Sequence, residues 1–280
     1  MQLMRFFSIG AAAAAAMSLA APAFAVDEPA AAKYRYVGYM GGVKIGWAEA
    51  EIATAQERYS ANLKMETGGL VGWFVEWRHA SASVGAAGPA LAPDRYGNAA
   101  FWKEKERYIE VGFQDGLAEI AEANPHPVED ENRPAVPADL RRGSVDPLTA
   151  IVAVGRTIDQ TGSCKTEMGV FDGRRRYLLK VMDEGETEIG RSRYAPYGGD
   201  VRKCTFVFER VAGFKKKNSN EPTQGRAYFR RVNEDAPIMP VQIAAETKYG
   251  AAILHLRELT LLDKQLAGRP LPDLKDAIRE

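Results

Sequence analysis

Cysteine and histidine are scarce: the 280-residue chain holds two of the first and three of the second. The histidines, His79, His126 and His255, stand far apart with no ligand spacing. No CxxC, HExxH, GxSxG or glycine-rich phosphate loop occurs. Motif-borne zinc, thiol-redox, serine-hydrolase and nucleotide chemistry therefore have no support. No catalytic residue, metal ligand or cofactor is assigned. Net charge is missing as well, because 37 Lys and Arg balance 37 Asp and Glu. Long-range electrostatics thus draws the chain toward neither nucleic acid nor a strongly anionic surface. Beyond the first 25 residues no apolar run of membrane-spanning length appears, so no transmembrane anchor is expected in the mature chain.

The first 25 residues read as a targeting segment. MQLMR supplies a positive start, Phe6 to Ala20 is apolar or small throughout, and Ala23-Phe24-Ala25 is a small-x-small cleavage site. No cysteine stands near the cut, which excludes a lipid-modified N-terminus. The mature protein is expected in the periplasm, with full secretion as the alternative. In an oxidising compartment two lone cysteines most often pair, so Cys164 and Cys204 are assigned a disulfide. Closing a loop of about forty residues stabilises by roughly 4 kcal/mol in the chain-entropy model. A reactive thiol and an intermolecular bond are the alternatives.

The remainder divides into a flexible leader over 26–33, one β domain over 34–264 and a polar, Pro-rich tail over 265–280. Period-two patterning begins with Tyr34 and Tyr36, turns at Gly41-Gly42, and places Val43, Ile45 and Trp47 on one face. Tyr59, Ala61, Leu63 and Met65 continue it. The WFVEW stretch reads either as part of a strand pair or as a helical turn with Trp73 and Trp77 on one face. A strand with Phe101, Lys103 and Lys105 on one face follows, and then a long loop from Asn124 to Arg142.

Val145 to Ile158 differs in kind. Asp146 can cap a helix, Pro147 suits its first position, and Leu148, Ile151, Val152 and Gly155 follow at helical spacing. It is apolar on most sides, which predicts a buried helix. Strands resume around Cys164 to Val170, then past a Phe171-Asp172-Gly173 turn. Tyr177, Leu179 and Val181 are expected inward, with Arg175 on the same face. An inward arginine must be paired or bind something, and Asp172 is the nearest candidate partner. Cys204, Phe206 and Phe208 share a face of a later strand. The last pair presents Ile243, Ala245, Thr247 and Tyr249, then Ala252, Leu254, Leu256 and Glu258, around a hairpin at Lys248 to Ala251. Ten or more strands with short turns predict a mainly β fold, a single antiparallel barrel or half-barrel with one buried plug helix.

YVGYMGGVKIGWAEAEI, VDPLTAIVAV, GSCKTEMGVFDGRRRYLL and KCTFVFERVAGF together resemble exported bacterial proteins of the domain of unknown function 3108 family. The resemblance covers nearly all of the mature chain and implies no activity, so it brings no catalytic residues. At the level of fold alone, barrels of this size with an internal helix look like periplasmic lipoprotein-carrier half-barrels, which hold acyl chains. The leading expectation is a non-enzymatic periplasmic protein that binds a hydrophobic or amphiphilic envelope component, lipid or lipoprotein, and supports envelope integrity. Arg175, Tyr177, Trp47, Trp73, Trp77 and Trp102 are its candidate ligand-binding residues. For the tryptophans, burial in the core is the competing reading. A surface adaptor for another envelope protein is the alternative function. An envelope-directed enzyme ranks third, since it needs a convergence of groups around Arg175 and His255.

Overall fold

A computed structural model describes residues 30–130, 133–215, 223–247 and 250–279. The targeting segment, most of the KKKNSNEP loop and the hairpin residues Lys248 and Tyr249 lie outside them. The alternating stretches form a meander of β1 (Ala30–Met40), β2 (Val43–Thr54), β3 (Arg58–Thr67), β4 (Trp77–Ala87), β5 (Leu91–Trp102), β6 (Lys105–Gln114) and β7 (Leu117–Asn124). A one-turn helix, α1 (Gly69–Gly72), stands between β3 and β4. After the long loop come β8 (Ser144–Val145), the helix α2 (Pro147–Thr161), β9 (Thr166–Phe171), β10 (Arg176–Ile189) and β11 (Gly199–Ala212). The chain then adds β12 (Gln224–Arg230), β13 (Met239–Thr247), β14 (Gly250–Leu261) and a terminal turn of helix, α3 (Leu274–Ala277).

β14 pairs with β1, so both halves join in a 14-stranded sheet ordered β7-β6-β5-β4-β3-β2-β1-β14-β13-β12-β11-β10-β9-β8. The two edges come together where Gly143 N donates to Gly116 O at 2.7 Å. The result is a nearly closed barrel, mainly β, with α2 inside. The alternating strand directions bring a set of connections to one rim: the Gly41-Gly42 turn, the Gly68–Glu76 segment, the Lys103-Glu104 turn and the Asp172–Arg175 turn. The end of β11 and the start of β12 lie on that rim too.

The interior is filled by Tyr34, Tyr36, Tyr59 and Tyr96 against small residues such as Ala48, Ala50 and Ala61. Pairing large with small is how a barrel interior closes without overpacking. It also reverses the expected face of β2. Ala48, Ala50 and Ile52 point inward, whereas Val43 is exposed and Trp47 lies outside with its Nε1 donating to Glu66. The apolar Val-Ile-Trp stripe misled because the inward face of β2 is built from alanines opposite Tyr34 and Tyr36.

Three further expectations are corrected. Residues 30–33, expected in the flexible leader, pair with β2 and β14. Lys103 and Glu104 are not strand residues but the turn between β5 and β6, both at positive φ (51° and 60°). In β14 a register shift opposite Arg35/Tyr36 turns Leu259, rather than Glu258, toward the core. The tail packs on the outside of the barrel, where Leu274 and Ile278 bury Ala80, Ala82 and Ala99.

Helix α2 begins and ends on sequence signals, two residues later and three residues further than the periodicity alone suggests. Asp146 Oδ1 accepts from Leu148 N (2.9 Å) and Thr149 N (3.0 Å), and Pro147 occupies the first turn. At the far end Gly162 adopts φ 71°, the left-handed conformation that closes a helix. Gly155 is where the helix docks: a Cβ there would stand 2.0 Å from the backbone oxygen of Ile238.

Candidate functional site

Between α2 and the wall formed by β10 to β13 lies a half-open cavity of about 470 Å³. The register explains it. Phe206 of β11 lies opposite Gly225 of β12, and Ala227 of β12 lies opposite Ile243 of β13. Gly225, Ala227 and Ala245 fill little space beside Phe206 and Phe208, and Ile151 of α2 forms the opposite wall. Large residues with no large neighbour leave a void, and this one opens toward the rim that carries Arg175, Phe214 and Gln224.

Three arginines, Arg175, Arg210 and Arg226, and no Asp or Glu are among the residues that line the cavity. Arg175 follows the tight turn in which Gly173 takes φ 88°, a conformation other residues rarely adopt, and a Cβ there would also press on the Ile109 side chain. Asp172 organises that turn: its Oδ1 accepts from the backbone N of Arg174 (2.9 Å) and Arg175 (2.6 Å), and its Oδ2 accepts from Arg175 Nε at 2.7 Å. The largely buried Asp172 thus stands behind the guanidinium and fixes its plane. Arg210 lies over the Phe214 ring at 5.2 Å. Tyr177 packs edge-on against Phe208 at 5.7 Å between centroids, and burial, reinforced by the Asp172 charge, pushes its hydroxyl above the usual phenol range. The cavity therefore presents aromatic and aliphatic walls with cationic donors at its entrance.

Of the predicted binding residues, the structure brings Arg175 and Tyr177 together at this cavity and leaves the four tryptophans away from its lining. Nor are the tryptophans in the core. Trp47 is on the outer face, Trp73 and Trp102 are exposed, and Trp77 sits at the rim, cross-strand from Trp102 and stacked on His79. Phe206, Phe208, Ile243 and Ala245 form the walls instead. Their shared faces were visible in the alternation, but the space between them depends on Gly225 and Ala227 of a different strand.

Among the described residues His255 is not brought to Arg175. His255 neighbours the inward Leu256 on the opposite face of β14 and pairs with Val37 and Gln242, outside the barrel. Its Nδ1 is buried without a hydrogen bond, and burial, aided by Arg257, lowers its pKa. His79 is held down to about 4 by burial. Among the described residues no group of three or more His, Cys, Asp and Glu stands close enough to hold a metal ion.

A buried polar cluster sits across α2 from the cavity. Asp146 Oδ2 accepts from Ser83 Oγ (2.8 Å) and from Thr149 Oγ1, and Tyr59 Oη meets Thr149 Oγ1 at 2.5 Å. All four residues are buried, and burial raises the Asp146 pKa against those hydrogen bonds. These buried hydrogen bonds clamp the start of α2 to β3 and β4. At the other end of α2, Cys164 and Cys204 lie at disulfide distance, with Cα atoms 6.3 Å apart. Asp183 ties this end down. Burial alone would raise its pKa, but Ser163, the amides of Gly185 and Cys164, and Arg202 outweigh it and draw the pKa to about 2.

Among the described residues no helix is long and apolar enough to cross a membrane. No curated protein matches the chain. Among solved structures it is similar to a β-barrel-like protein of domain of unknown function DUF1849 from Brucella abortus. That similarity has a TM-score of 0.50 and 11% identity, over 85% of this chain and 100% of the other. At that identity the likeness is one of fold. The model of the family described as "Protein of unknown function (DUF3108)" matches residues 33–257, the span from the first strand through most of the last. The chain belongs to the DUF3108 family.

Proposed function

We propose that this protein is an exported, non-enzymatic barrel that binds an amphiphilic component of the cell envelope and supports envelope integrity. The observation that carries the reading is the 470 Å³ cavity, with Phe206, Phe208, Ile151 and Ile243 as its walls and Arg175 and Arg210 at its mouth. Its volume falls in the ordinary range for small-molecule sites, and its lining matches their pattern of apolar walls with a few placed polar groups. An acyl chain would occupy the walls, and an anionic or polar head would meet the arginines and Tyr177. The signal-like N-terminus and the paired cysteines support an oxidising, extracytoplasmic setting. Native mass spectrometry of the protein purified from its host envelope fraction tests the proposal. A discrete adduct of lipid mass, released by organic extraction, is expected. A protein that carries no adduct and takes up no fatty acid or lysophospholipid on incubation would refute it.

A further inference from the structure

The barrel rim onto which the cavity opens also carries, on β3 to β5, the most exposed aromatic side chains of the described residues. Trp73 and Phe74, just past α1, are 81% and 86% exposed, Val75 is 41% exposed, and Trp102 at the end of β5 is 51% exposed. We infer that this rim is a docking surface for a lipid bilayer, inserting Trp73 and Phe74 into the membrane interface.

The geometry is that of a projecting tip, not of a groove. Val75 N donates to Val71 O at 2.9 Å and Thr67 Oγ1 donates to Val75 O at 2.6 Å, so the backbone at the base of the tip is held while Trp73 and Phe74 stand outward. A soluble surface has no use for two adjacent, almost fully exposed large aromatics. The area they offer, together with Val75 and Trp102, is on the order of 500 Å². That is short of the roughly 800 Å² per partner that a stable protein interface needs. It is ample for partition into a headgroup layer, where aromatic rings are favoured. Charge points the same way. Lys44, Lys103 and Lys105 are exposed around the tip and outnumber the exposed Glu104 between the two turn lysines, with Lys103 Nζ 5.0 Å over the Trp102 ring, and Glu76 is engaged by Arg78 at 2.9 Å. Basic groups beside interfacial aromatics suit an anionic leaflet. The second independent observation is topological. The strand directions that bring the Gly68–Glu76 segment to this rim also bring the cavity mouth there, so a docked barrel presents its opening to the membrane. The docking does not depend on cavity occupancy, and the two can fail separately.

The test is co-sedimentation of the full-length protein with vesicles of 3:1 phosphatidylethanolamine and phosphatidylglycerol. Binding is expected, and the double variant Trp73→Ser/Phe74→Ser is expected to weaken it at least about tenfold. Because both side chains are exposed, that variant should keep the wild-type circular dichroism and melting curve, and its fatty-acid uptake should be unchanged. Absence of vesicle binding by the wild type, or binding that the double variant retains, would overturn the inference. So would a concentration-dependent dimer formed without lipid and abolished by the double variant, since that assigns the patch to a second copy of the chain.

Discussion

Asp146→Ala is expected to be among the most damaging polar substitutions in this protein, because one side chain serves both the helix start and the barrel wall. Two amides, Leu148 N and Thr149 N, lose their cap, which costs about 1 kcal/mol. The buried hydroxyls of Ser83 and Thr149 lose an acceptor, nominally about 1–3 kcal/mol each. Part of that is recovered, since Ser83 and Thr149 remain 3.1 Å apart and Tyr59 can re-bond to either. Relief of the carboxyl's own burial offsets more. The net loss is about 2–4 kcal/mol by urea denaturation at neutral pH. Asp146→Asn keeps an acceptor for both amides and can donate to the hydroxyls, so it should stay within about 1 kcal/mol of wild type. The sign of the pH dependence follows from the raised pKa. The folded chain holds its Asp146 proton to higher pH than the unfolded chain, whose aspartate titrates near the ordinary 3.8. The Asp146 contribution is therefore complete below that value and declines as pH rises through the window above it. Measured against Asp146→Asn, wild-type stability should fall across that window and then level. An Asp146→Ala variant as stable as wild type, or a difference that grows with pH, would refute the clamp.

Two other perturbations read the same architecture. Cys164→Ser or Cys204→Ser releases a cross-link between residues 40 apart in sequence, which should lower stability by about 4 kcal/mol, matched by reductant on the wild type in the same urea assay. Gly155→Val places carbon against the Ile238 backbone oxygen, which a side-chain rotation cannot relieve, so a loss of about 3 kcal/mol in thermal or urea melts is expected.

Much of this fold is legible in the sequence because its signals are local. Asp146-Pro147 and Gly162 bracket α2, and the Asp172–Arg175 pair follows from a turn and a face count. The cavity and the orientation of β2 are not local. Val43, Ile45 and Trp47 make a convincing inward stripe until Tyr34 and Tyr36, on the neighbouring strand, claim the interior and leave room there only for Ala48 and Ala50. Likewise Lys103-Glu104 turns at positive φ without the glycine or asparagine that usually announces such a turn. The register shift near Arg35 exchanges Glu258 for Leu259 without any mark in the pattern. Tryptophans were natural candidates for a binding cavity by size alone. Here the space is set by Gly225 and Ala227 beside Phe206, a relation between strands that a single strand cannot display.

The claim that the cavity holds an amphiphile is tested most directly by titrating a fluorescent fatty-acid analogue into the wild type and into Ala245→Trp. The alanine faces the cavity with Ile243, so an indole there should fill it while leaving the barrel intact. Saturable binding by the wild type, weakened at least about tenfold in the folded variant, is the predicted result. Equal binding by both proteins, or none by either, would contradict it.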